Sequence, residues 1–408
     1  MKNTLASFFS GIALKRLSEV EVKPAKSNQH EFNGAKAIRD ILGSEKAHFK
    51  GRFIYVSDNQ QEFIGDTGDL TWYDARENNP LRAAEFRLYY SSNDVINSAL
   101  PGDLVIITKT VENELNVIIA DQDSTAEKQL LWLFGFKEIA NKFEGRDLSQ
   151  EKHVLGFAAK YIIESLGFEI EDELPDYLEI MLEKYGGKFP STYIFSEFAR
   201  ATLKYPSPIE SPDEVLLSLL EREEMLFKTL EKKIVQDKLK QGFGDDGMDV
   251  EMFIKFSLSV QNTRKSRAGL AFENQLAYVF DGHKVIYSKK AKTERNNTPD
   301  FLFPGIKEYK DPEFDTTLLT MLGLKTTAKE RWTQILSEAD RIERKHFITL
   351  EPSISKNQTD EMIARKIQLV LPNSIRNTYT EDQKQNIISL SDFIAYTLDK
   401  QKKVRNLH

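Results

Sequence analysis

The sequence predicts a multidomain α/β protein with a mainly β N-terminal domain, a helical connector and a C-terminal α/β domain built on a central mixed sheet. Short β-branched and aromatic runs separated by turn residues fill residues 1–140, and a helical period follows over residues 141–206. Helices alternate with strands over residues 207–408. A chain of 408 residues is too long for one ordinary core, so these three periods indicate separate domains.

Composition excludes several classes of protein. Hydrophobic residues make up 40% and charged residues 29% of the chain, and no apolar run approaches the length that spans a bilayer. We therefore expect a cytoplasmic protein without a membrane partner. The absence of cysteine leaves no disulfide, no thiolate metal site and no cysteine nucleophile. A bound metal would need oxygen or imidazole ligands, which favours a hard ion such as Mg²⁺.

Charge is distributed unevenly along the chain. The net charge of −7 argues weakly against a protein that coats nucleic acid. Residues 255–298, in contrast, carry nine Lys or Arg against three Asp or Glu, an excess of six positive charges. An acidic protein thus contains one basic segment, which is typical of a local nucleic-acid contact.

The N-terminal domain contains several candidate strands. The runs at 104–108 and 116–120 are joined by a short polar segment, and we expect them to form a hairpin. Further runs lie at 52–56 and 84–90. Aromatic and basic side chains interleave in this region, as in proteins that stack on bases and grip phosphates. A sheet edge with solvated arginines explains the pattern equally well. The side chains concerned are Trp72, Tyr73, Arg76, Arg82, Arg87, Tyr89 and Tyr90.

A proline-rich break separates the connector from the C-terminal domain. Pro206, Pro208 and Pro212 lie within seven residues, too dense for a continuing helix. We expect Ser211 or Asp213 to cap the next helix, which should reach about residue 240. Beyond it, the pattern predicts helices at 249–260, 266–280, 331–345 and from about 391. It predicts strands near 300 and at 319–325, 346–350 and 367–371.

Two charged residues in the C-terminal domain lie at the ends of predicted strands. Asp300 follows Pro299 and opens the apolar run 301–303, while Lys325 closes the apolar run 318–324. Hydrolysis of a phosphodiester requires a divalent cation and a group that helps to produce hydroxide. An acid and a lysine at neighbouring strand ends suit that chemistry. Each residue taken singly is equally typical of an ordinary strand end.

A third acid is predicted on the helix at 331–345. At 100° per residue, Arg331 and Glu338 fall within about 20° of each other beside an apolar stripe, so we expect their side chains to point the same way. In the helix at 266–280, Glu273 lies on the core-facing sector. A buried carboxylate there must be paired or metal-bound, and a salt-bridged Glu273 is the alternative to a metal role.

Four ordered motifs occupy about residues 240–375. They are Arg264-Lys265-Ser266-Arg267-Ala268-Gly269 with Glu273, Pro299-Asp300-Phe301-Leu302-Phe303-Pro304, Lys325-Thr326-Thr327-Ala328-Lys329-Glu330-Arg331-Trp332 with Glu338, and Leu369-Val370-Leu371-Pro372. This part of the chain resembles the catalytic domain of the EcoRII/PspGI group of type II restriction endonucleases. The group belongs to the PD-(D/E)XK superfamily, and in it the second acid has moved from the strand to the following helix. Gly323 at the usual acid position fits that variant.

The resemblance implies a set of roles. Asp300 and Glu338 would be metal ligands for Mg²⁺, Lys325 would orient or polarise the attacking water, and Glu273 would be a supporting acid. Residues 329–331 would read bases, with the basic residues of 264–267 nearby on the DNA. The DNA-binding candidates are Lys329, Glu330, Arg331, Arg264, Lys265 and Arg267.

The resemblance implies a double-strand cut in DNA at a palindrome of the CCNGG or CCWGG kind. The residues at 329–331 agree with a G·C-rich site, because Arg and Lys donate to guanine and acids accept from cytosine. The implied partners are double-stranded DNA, a second copy of the chain and a DNA cytosine methyltransferase. The N-terminal domain would be an effector or a second DNA-binding module. A modification-dependent nuclease and a non-catalytic DNA-binding regulator remain as alternative functions.

Overall fold

The computed structural model describes residues 3–22, 30–58, 64–79, 81–170, 174–204 and 207–405, apart from the side chains of Ile64, Pro175, Lys329, Glu330 and Arg331. The chain divides into two compact units. The first is Met1–Ile170 with Ser353–Ser355, and the second is Glu171–Pro352 with Lys356–His408. Within the described ranges, none of the helices has the length and apolar composition required to cross a bilayer.

The first unit is built on one eight-stranded sheet in the order β2-β5-β4-β3-β7-β6-β1-β8. Its strands are β1 Phe9–Arg16, β2 Glu31–Asn33, β3 Ala47–Val56, β4 Ile64–Asp74, β5 Phe86–Tyr90, β6 Leu104–Thr110, β7 Leu115–Ala120 and β8 Glu144–Asp147. Its helices are α1 Glu19–Val22, α2 Lys36–Leu42, α3 Asp94–Ser98, α4 Thr125–Phe134 and α5 Phe157–Ser165, and a 3₁₀ helix covers Leu5–Ser7.

Both faces of this sheet are covered by apolar side chains. Successive side chains of a strand point to opposite faces, so β6 contributes Val105 and Ile107 to one hydrophobic cluster and Leu104 and Ile106 to the other. The predicted hairpin is confirmed, since β6 and β7 pair antiparallel. The mainly β N-terminal region is confirmed with it.

The second unit begins with helices that pack on one another. The helices α6 Leu178–Tyr185 and α7 Thr192–Ala201 share a cluster with α8 Pro212–Gln241, in which Phe195 and Phe198 lie beside Leu226 and Leu230. The residues of the predicted connector therefore belong to both units, because α5 lies in the first and α6 and α7 in the second. The predicted domain limits at 140 and 206 stay a prediction.

Two expectations about the long helices require correction. The sequence predicted separate helices at 249–260 and 266–280, but one helix, α9, runs over Val250–Gly282. The intervening residues 261–265 include neither glycine nor proline, so nothing interrupts the backbone hydrogen bonds. At the start of α8, Ser211 is the N-cap residue but its side chain makes no capping bond. Asp213 instead accepts bonds from the backbone N–H groups of Asn373, Leu390 and Ser391 at 3.0–3.1 Å.

A six-stranded mixed sheet follows, in the order β14-β13-β12-β11-β10-β9, and confirms the predicted central mixed sheet. The strands β11 to β14 are parallel, and β10 pairs antiparallel with both β9 and β11. They are β9 Ser288–Lys289, β10 Phe301–Phe303, β11 Thr320–Lys325, β12 Lys345–Thr349, β13 Ile367–Leu371 and β14 Ile387–Ser389. The remaining helices are α10 Ile306–Lys310, α11 Lys356–Ala364, α12 Asn373–Arg376, α13 Glu381–Lys384 and α14 Leu390–Arg405.

The predicted helix at 331–345 is wrong in type and length. A 3₁₀ helix covers Lys329–Ser337, and Glu338 follows it in an extended conformation, with φ −92° and ψ 143°. Ala339 has a left-handed φ of 50°, which a helix cannot contain. Side chains from other elements take the carbonyl groups at this end, since Asn297 donates to Ser337 at 2.5 Å and Lys345 donates to Glu338.

Candidate active site

Asp300 lies where the sheet topology brings two chain segments together. Because β10 and β11 are antiparallel, the start of β10 and the end of β11 share one edge of the sheet. The Asp300 Oδ2 atom accepts the backbone N–H of Leu324 at 2.7 Å, which fixes the carboxylate beside Lys325. Burial raises the pKa of Asp300, and the bond from Leu324 and the charge of Lys325 oppose that rise. The strand-end position predicted for both residues is confirmed.

Gly323, two residues before Lys325, lies directly against the side chain of Ile335. A Cβ atom built at Gly323 would lie 2.6 Å from Cδ1 and 2.8 Å from Cγ1 of Ile335. Ile335 belongs to the 3₁₀ helix and is buried. An acid on the strand at this position would therefore require the Ile335 side chain to move.

Glu338 faces the same site from beyond the 3₁₀ helix. Burial, and next the negative charge of Asp300, raise the pKa of Glu338 to about 7, while Lys325 and Lys345 lower it. Asp300 is near enough to raise the pKa of Glu338, and Lys325 lowers the pKa of both acids, so the two carboxyl groups lie on the same side of the sheet as Lys325. Glu338 thus reaches the site through a backbone that turns at Ala339 and not on a helix. The predicted common direction of Glu338 and Arg331 stays a prediction, because the Arg331 side chain lies outside the described residues.

Lys345 stabilises the turn formed by Glu338 and Ala339. It is the first residue of β12 and is buried. Its Nζ atom donates to the backbone carbonyl of Glu338 and, at 3.4 Å, to that of Ala339. Burial lowers the pKa of Lys345. Sequence reasoning missed this residue, although a lysine that opens the run His346-Phe347-Ile348-Thr349 is a detectable signal.

The two carboxylates fit a hard divalent cation. The Oε2 atom of Glu338 is buried and has no hydrogen-bond partner among the described residues. A cation bound between two neighbouring carboxylates reduces the repulsion between them and supplies a partner for the free oxygen of Glu338. Groups of three or more His, Asp or Glu that could hold a metal do not occur in the described ranges. A site with two carboxylates suits Mg²⁺, which usually keeps several waters and substrate phosphate oxygens as its other ligands.

Glu273 lies near these groups but is neutralised by two lysines. It is a buried residue of α9, and its carboxylate pairs with Lys289 at 3.0 Å and Lys290 at 2.6 Å. Its charge contributes to the raised pKa of Asp300. The salt-bridged alternative for Glu273 thus describes its observed contacts. Because two lysines balance its charge, Glu273 suits a supporting role beside Asp300 and Glu338.

The predicted DNA-binding residues have different environments. Arg264 pairs with the buried Glu231, and Lys265 is exposed. Arg267 is half-buried, donates to the carbonyl of Pro190 and lies 5.2–5.5 Å from three aromatic ring centres. These rings belong to Phe189, Phe195 and Phe227. A phosphate contact by Arg267 in this conformation is therefore not supported. The side chains of Lys329, Glu330 and Arg331 lie outside the described part of the chain.

The interleaved aromatic residues of the first unit are divided between core and surface. Trp72 and Tyr90 are buried in the hydrophobic cluster, and Trp72 Nε1 donates to the carbonyl of Gly43 at 3.0 Å. Arg87 pairs with Glu31 and Glu85, both at 2.8 Å. Trp72 and Tyr90 cannot stack on bases. Tyr89 and Arg82 are exposed, so their side chains are accessible for contact with a nucleic acid.

The mixed sheet, with an acid at the start of one strand, a lysine at the end of its neighbour and a second acid just beyond, defines a restriction-endonuclease-like domain. The resemblance found in the motifs is confirmed. Residues 227–394 match the family model described as EcoRII C terminal. The type II restriction enzyme EcoRII of Escherichia coli is 36% identical over 230 residues, which cover 56% of this chain and 55% of that enzyme.

Other matches have lower sequence identity. The type II restriction enzyme SsoII of Shigella sonnei is 24% identical over 165 residues, covering 37% of this chain and 52% of that enzyme. The chain therefore spans about half the length of the curated relatives it matches. Among solved structures, metal-depleted Ecl18kI with uncleaved, modified DNA has a TM-score of 0.46 at 17% identity, covering 57% of this chain and 86% of that one. A PspGI–substrate DNA complex has a TM-score of 0.45 at 17% identity, with 53% and 94% covered.

Proposed function

We propose that this protein is a type II restriction endonuclease that makes Mg²⁺-dependent double-strand cuts at a short G·C-rich palindrome of the CCNGG or CCWGG class. The observation that carries the proposal is the convergence of the Asp300 and Glu338 carboxyl groups beside Lys325 at one sheet edge. The 36% identity to a type II restriction enzyme supports the same activity.

Each residue of the site has a role in the proposed reaction. Asp300 and Glu338, which are both half-buried, would hold the cation. When bound, Mg²⁺ supplies neutralisation of the phosphoryl oxygens and lowers the pKa of a coordinated water. Lys325 would orient the attacking water through its ammonium group, whose positive charge acts on both carboxylates. Glu273 would act indirectly, because Lys289 and Lys290 already balance its charge.

Residues 329–331 would read the DNA sequence. A basic-acidic-basic triplet offers donors for guanine O6 and N7 and an acceptor for cytosine N4. Replacing Arg331 with alanine should cost about 1–3 kcal/mol per specific base contact and should weaken cognate binding more than random binding. Equal losses on both DNAs would identify a phosphate contact instead.

The proposal includes partners. A palindrome is matched by a second copy of the chain across a two-fold axis, and a DNA cytosine methyltransferase would protect host DNA in the cytoplasm. The first unit would be an effector or a second DNA-binding module. Exposed residues such as Arg82 and Tyr89 support that role.

The test is a cleavage assay on unmodified and cytosine-methylated DNA of known sequence, each with Mg²⁺ or with EDTA. Discrete fragments from unmodified DNA in Mg²⁺ alone are expected. Cleavage restricted to methylated DNA would instead establish the modification-dependent nuclease. Specific binding without cleavage under every condition would establish a non-catalytic regulator and overturn the proposal.

A further inference from the structure

A short loop ahead of Asp300 lies against the segment that carries Glu338. The loop covers residues 293–297 and closes on itself. The backbone N–H of Thr293 donates to the carbonyl of Asn297 at 2.9 Å, and that of Asn297 donates to the carbonyl of Glu294 at 3.0 Å. Asp300 follows and directly precedes β10. Only two residues therefore separate this closed loop from the first acid of the candidate site.

Two consecutive residues of the loop have a left-handed backbone. Arg295 has φ 55° and ψ 25°, and Asn296 has φ 61°. Residues other than glycine rarely adopt this conformation, although asparagine tolerates it better than arginine does. A conformation of this kind persists where surrounding contacts hold it, and it is concentrated at functional sites. The contacts that hold it here are made by the side chains on either side of Asn296.

Those side chains bind the turn that presents Glu338. The Arg295 Nη2 atom donates to the two carboxylate oxygens of Asp340, at 2.6 and 2.5 Å. The Asn297 Nδ2 atom donates to the backbone carbonyl of Ser337 at 2.5 Å. The loop is thus bonded to the residue before Glu338 and to the second residue after it.

Glu294 completes these contacts and connects the loop to the body of the domain. Its Oε2 atom accepts the backbone N–H of Asp340 at 3.3 Å and the hydroxyl of Tyr309 at 2.6 Å. Tyr309 belongs to α10 and is buried. Glu294, Arg295 and Asn297 together form a clip that fastens the Glu338 turn to the loop ahead of Asp300.

The two acids of the candidate site are held in different ways. Asp300 is bonded to the sheet through the backbone N–H of Leu324. Glu338 lies off the sheet, beyond the 3₁₀ helix, so its place depends on what holds its turn. Lys345 holds the turn from the buried side and the clip holds it from the side that faces solvent. The clip is therefore the contact that relates Glu338 to the chain leading into Asp300.

We propose that the clip sets the separation of the Asp300 and Glu338 carboxylates and thereby makes the site select Mg²⁺ over larger divalent cations. This inference rests on the proposed function, from which it takes the metal role of the two acids, and it adds the residues that decide which metal is bound. The three clip residues act through the acids and are positioning residues.

Ionic size gives the physical reason for that selection. Mg²⁺ takes oxygen ligands at about 2.0–2.1 Å in a nearly fixed octahedron, whereas Ca²⁺ accepts about 2.3–2.6 Å in flexible arrangements. Two carboxylates held at a fixed separation can favour the smaller ion. A pair whose separation varies loses that preference and still accepts the larger ion.

The first experiment compares Mg²⁺ and Ca²⁺ on the full chain without DNA. The dissociation constant for each ion follows from the rise in melting temperature with its concentration. Arg295→Ala with Asn297→Ala should weaken Mg²⁺ binding by about tenfold and Ca²⁺ binding by less than about threefold. A purely structural role would lower the melting temperature without changing the ratio of the two constants. An unchanged ratio, or a wild type that responds to neither ion, would overturn the inference.

Two controls match the parts of the clip. Asn296→Gly changes the residue between two clip side chains, and glycine adopts the left-handed conformation readily, so this variant should keep the wild-type preference for Mg²⁺. Lys403→Ala on α14 removes an exposed ion pair, formed with Asp399 at 2.7 Å, and should leave both dissociation constants unchanged. A loss of Mg²⁺ preference in either control would show that the effect is not specific to the clip and would contradict the inference.

A charge exchange keeps the test decisive if the double alanine variant folds poorly. Arg295→Asp and Asp340→Arg each place like charges together and should each reduce the preference for Mg²⁺ by about tenfold. The combined variant restores opposite charges, and aspartate tolerates the left-handed backbone at position 295. Its preference for Mg²⁺ should exceed that of either single variant. Failure to do so would exclude the ion pair as the element that sets the separation.

A phosphate contact is the other use of an exposed arginine at this place. If Arg295 binds a DNA phosphate, Arg295→Ala should weaken DNA binding and reduce its dependence on salt, while the ratio of the Mg²⁺ and Ca²⁺ constants stays unchanged. That result would overturn the positioning role. Phosphate would also meet the carboxylates of Glu294 and Asp340, which already surround the Arg295 side chain.

The outcome is separable from the nuclease proposal, because metal preference is measured without DNA and without cleavage. A chain that selects Mg²⁺ through the clip and cuts no DNA would retain the inference and remove the nuclease. Cleavage in Mg²⁺ by a wild type whose clip variants keep the same ratio of metal constants would do the reverse.

Discussion

At the scale of single residues, the candidate site depends on the electrostatic interactions among Asp300, Lys325 and Glu338. Asp300 and Glu338 are half-buried carboxyl groups; the charge of Asp300 raises the pKa of Glu338, and Lys325 lowers the pKa of both. Side chains arranged in this way favour binding of a cation. Their removal should therefore affect metal binding and cleavage before it affects DNA binding.

Substitution of the acids and the lysine tests this arrangement. Asp300→Ala, Lys325→Ala and Glu338→Ala should each lower the cleavage rate by about 10³-fold or more while DNA binding persists, since these groups act on metal and water. Glu273→Ala should be milder. Mg²⁺ should raise the melting temperature of the wild type but not that of Asp300→Ala. Glu313→Ala, an exposed acid, is the control. Wild-type cleavage by Glu338→Ala would show that the second acid lies elsewhere.

Lys345 should matter although it points at backbone atoms. Replacement by methionine removes the donor to the carbonyl groups of Glu338 and Ala339, and the turn that presents the Glu338 carboxylate should relax. We expect a higher Mg²⁺ concentration for half-maximal cleavage and a loss of about 1–3 kcal/mol of stability, with unchanged DNA affinity. Lys366→Met removes an exposed lysine and serves as the control. An unaltered Mg²⁺ dependence would exclude a positioning role.

His346 should make the second unit sensitive to acid. Burial, and next the charges of Lys400 and Arg344, lower the pKa of His346 to about 3. The folded pKa lies below the ordinary value near 6.5, so the stabilisation is complete above about pH 6.5 and is lost as the pH falls toward 3. The free energy of unfolding should fall by up to ~1.4 kcal/mol per pH unit in this window.

Comparison with His346→Phe isolates that contribution. Phenylalanine keeps the ring contact with Phe393, whose ring centre lies 5.1 Å from that of His346, and cannot take up a proton. Urea unfolding between pH 4 and 7 should therefore show a smaller acid loss for the variant than for the wild type. His153→Phe, at a side chain that is 95% exposed, should leave the wild-type slope unchanged. Equal slopes for His346→Phe and wild type would mean that His346 does not stay neutral.

At the scale of secondary-structure elements, Asp213 connects helices that are distant in sequence. Its carboxylate accepts three backbone N–H groups, one at the start of α12 and two at the start of α14. Anions are stabilised at helix N-termini, where these N–H groups have no partner within the helix. The residue that sequence patterns assign to the start of α8 therefore stabilises two other helices.

Removal of that carboxylate should destabilise the second unit. Asp213→Ala removes the acceptor of three backbone N–H groups, of which that of Leu390 is buried, and should reduce the free energy of unfolding by about 1–3 kcal/mol. Asp213→Asn keeps an accepting oxygen and should lose less. The measurement is urea unfolding followed by circular dichroism. Glu214→Ala, at the exposed neighbouring position, should lie within about 0.5 kcal/mol of the wild type. A similar small effect for Asp213→Ala would exclude the bridging role.

At the scale of the whole molecule, the boundary between the units determines which fragments fold. The helices α6 and α7 share a hydrophobic cluster with α8, so they belong with the nuclease-like domain. A fragment that begins at residue 207 exposes Leu226 and Leu230, whereas one that begins at residue 174 keeps them covered. The second fragment should unfold cooperatively at a higher temperature in calorimetry, and the first should melt lower or aggregate. Equal melting temperatures would show that α6 and α7 do not stabilise the second unit, and would place its domain boundary at the proline-rich segment.

The stable fragment also tests the role of the first unit. If that unit is an effector that restrains the nuclease, residues 174–408 should cut DNA with one site at least as fast as the full chain does. If it contributes affinity, the fragment should bind DNA more weakly. A fragment equal to the full chain on one-site, two-site and methylated DNA would exclude both roles.

The sequence by itself determined the order of the elements and the identity of the residues that carry the proposed chemistry. Strand ends at Asp300 and Lys325 are local features, because an apolar run bounded by a charge needs no distant partner to be recognised. The mixed sheet followed from the alternation of helical and strand periods. The family resemblance depended on four ordered motifs and needed no structure.

Only the tertiary structure decided how those residues are presented. Sequence periodicity placed Glu338 on a helix, but the chain turns at Ala339. Asn297 and Lys345, from other parts of the chain, donate to the backbone carbonyl groups of Ser337 and Glu338, respectively. Periodicity cannot show that Trp72 is buried or that Glu273 is paired with two lysines, because the neighbours come from other strands and helices. Local sequence sets backbone preference, whereas long-range contacts fix burial, charge balance and the final direction of each side chain.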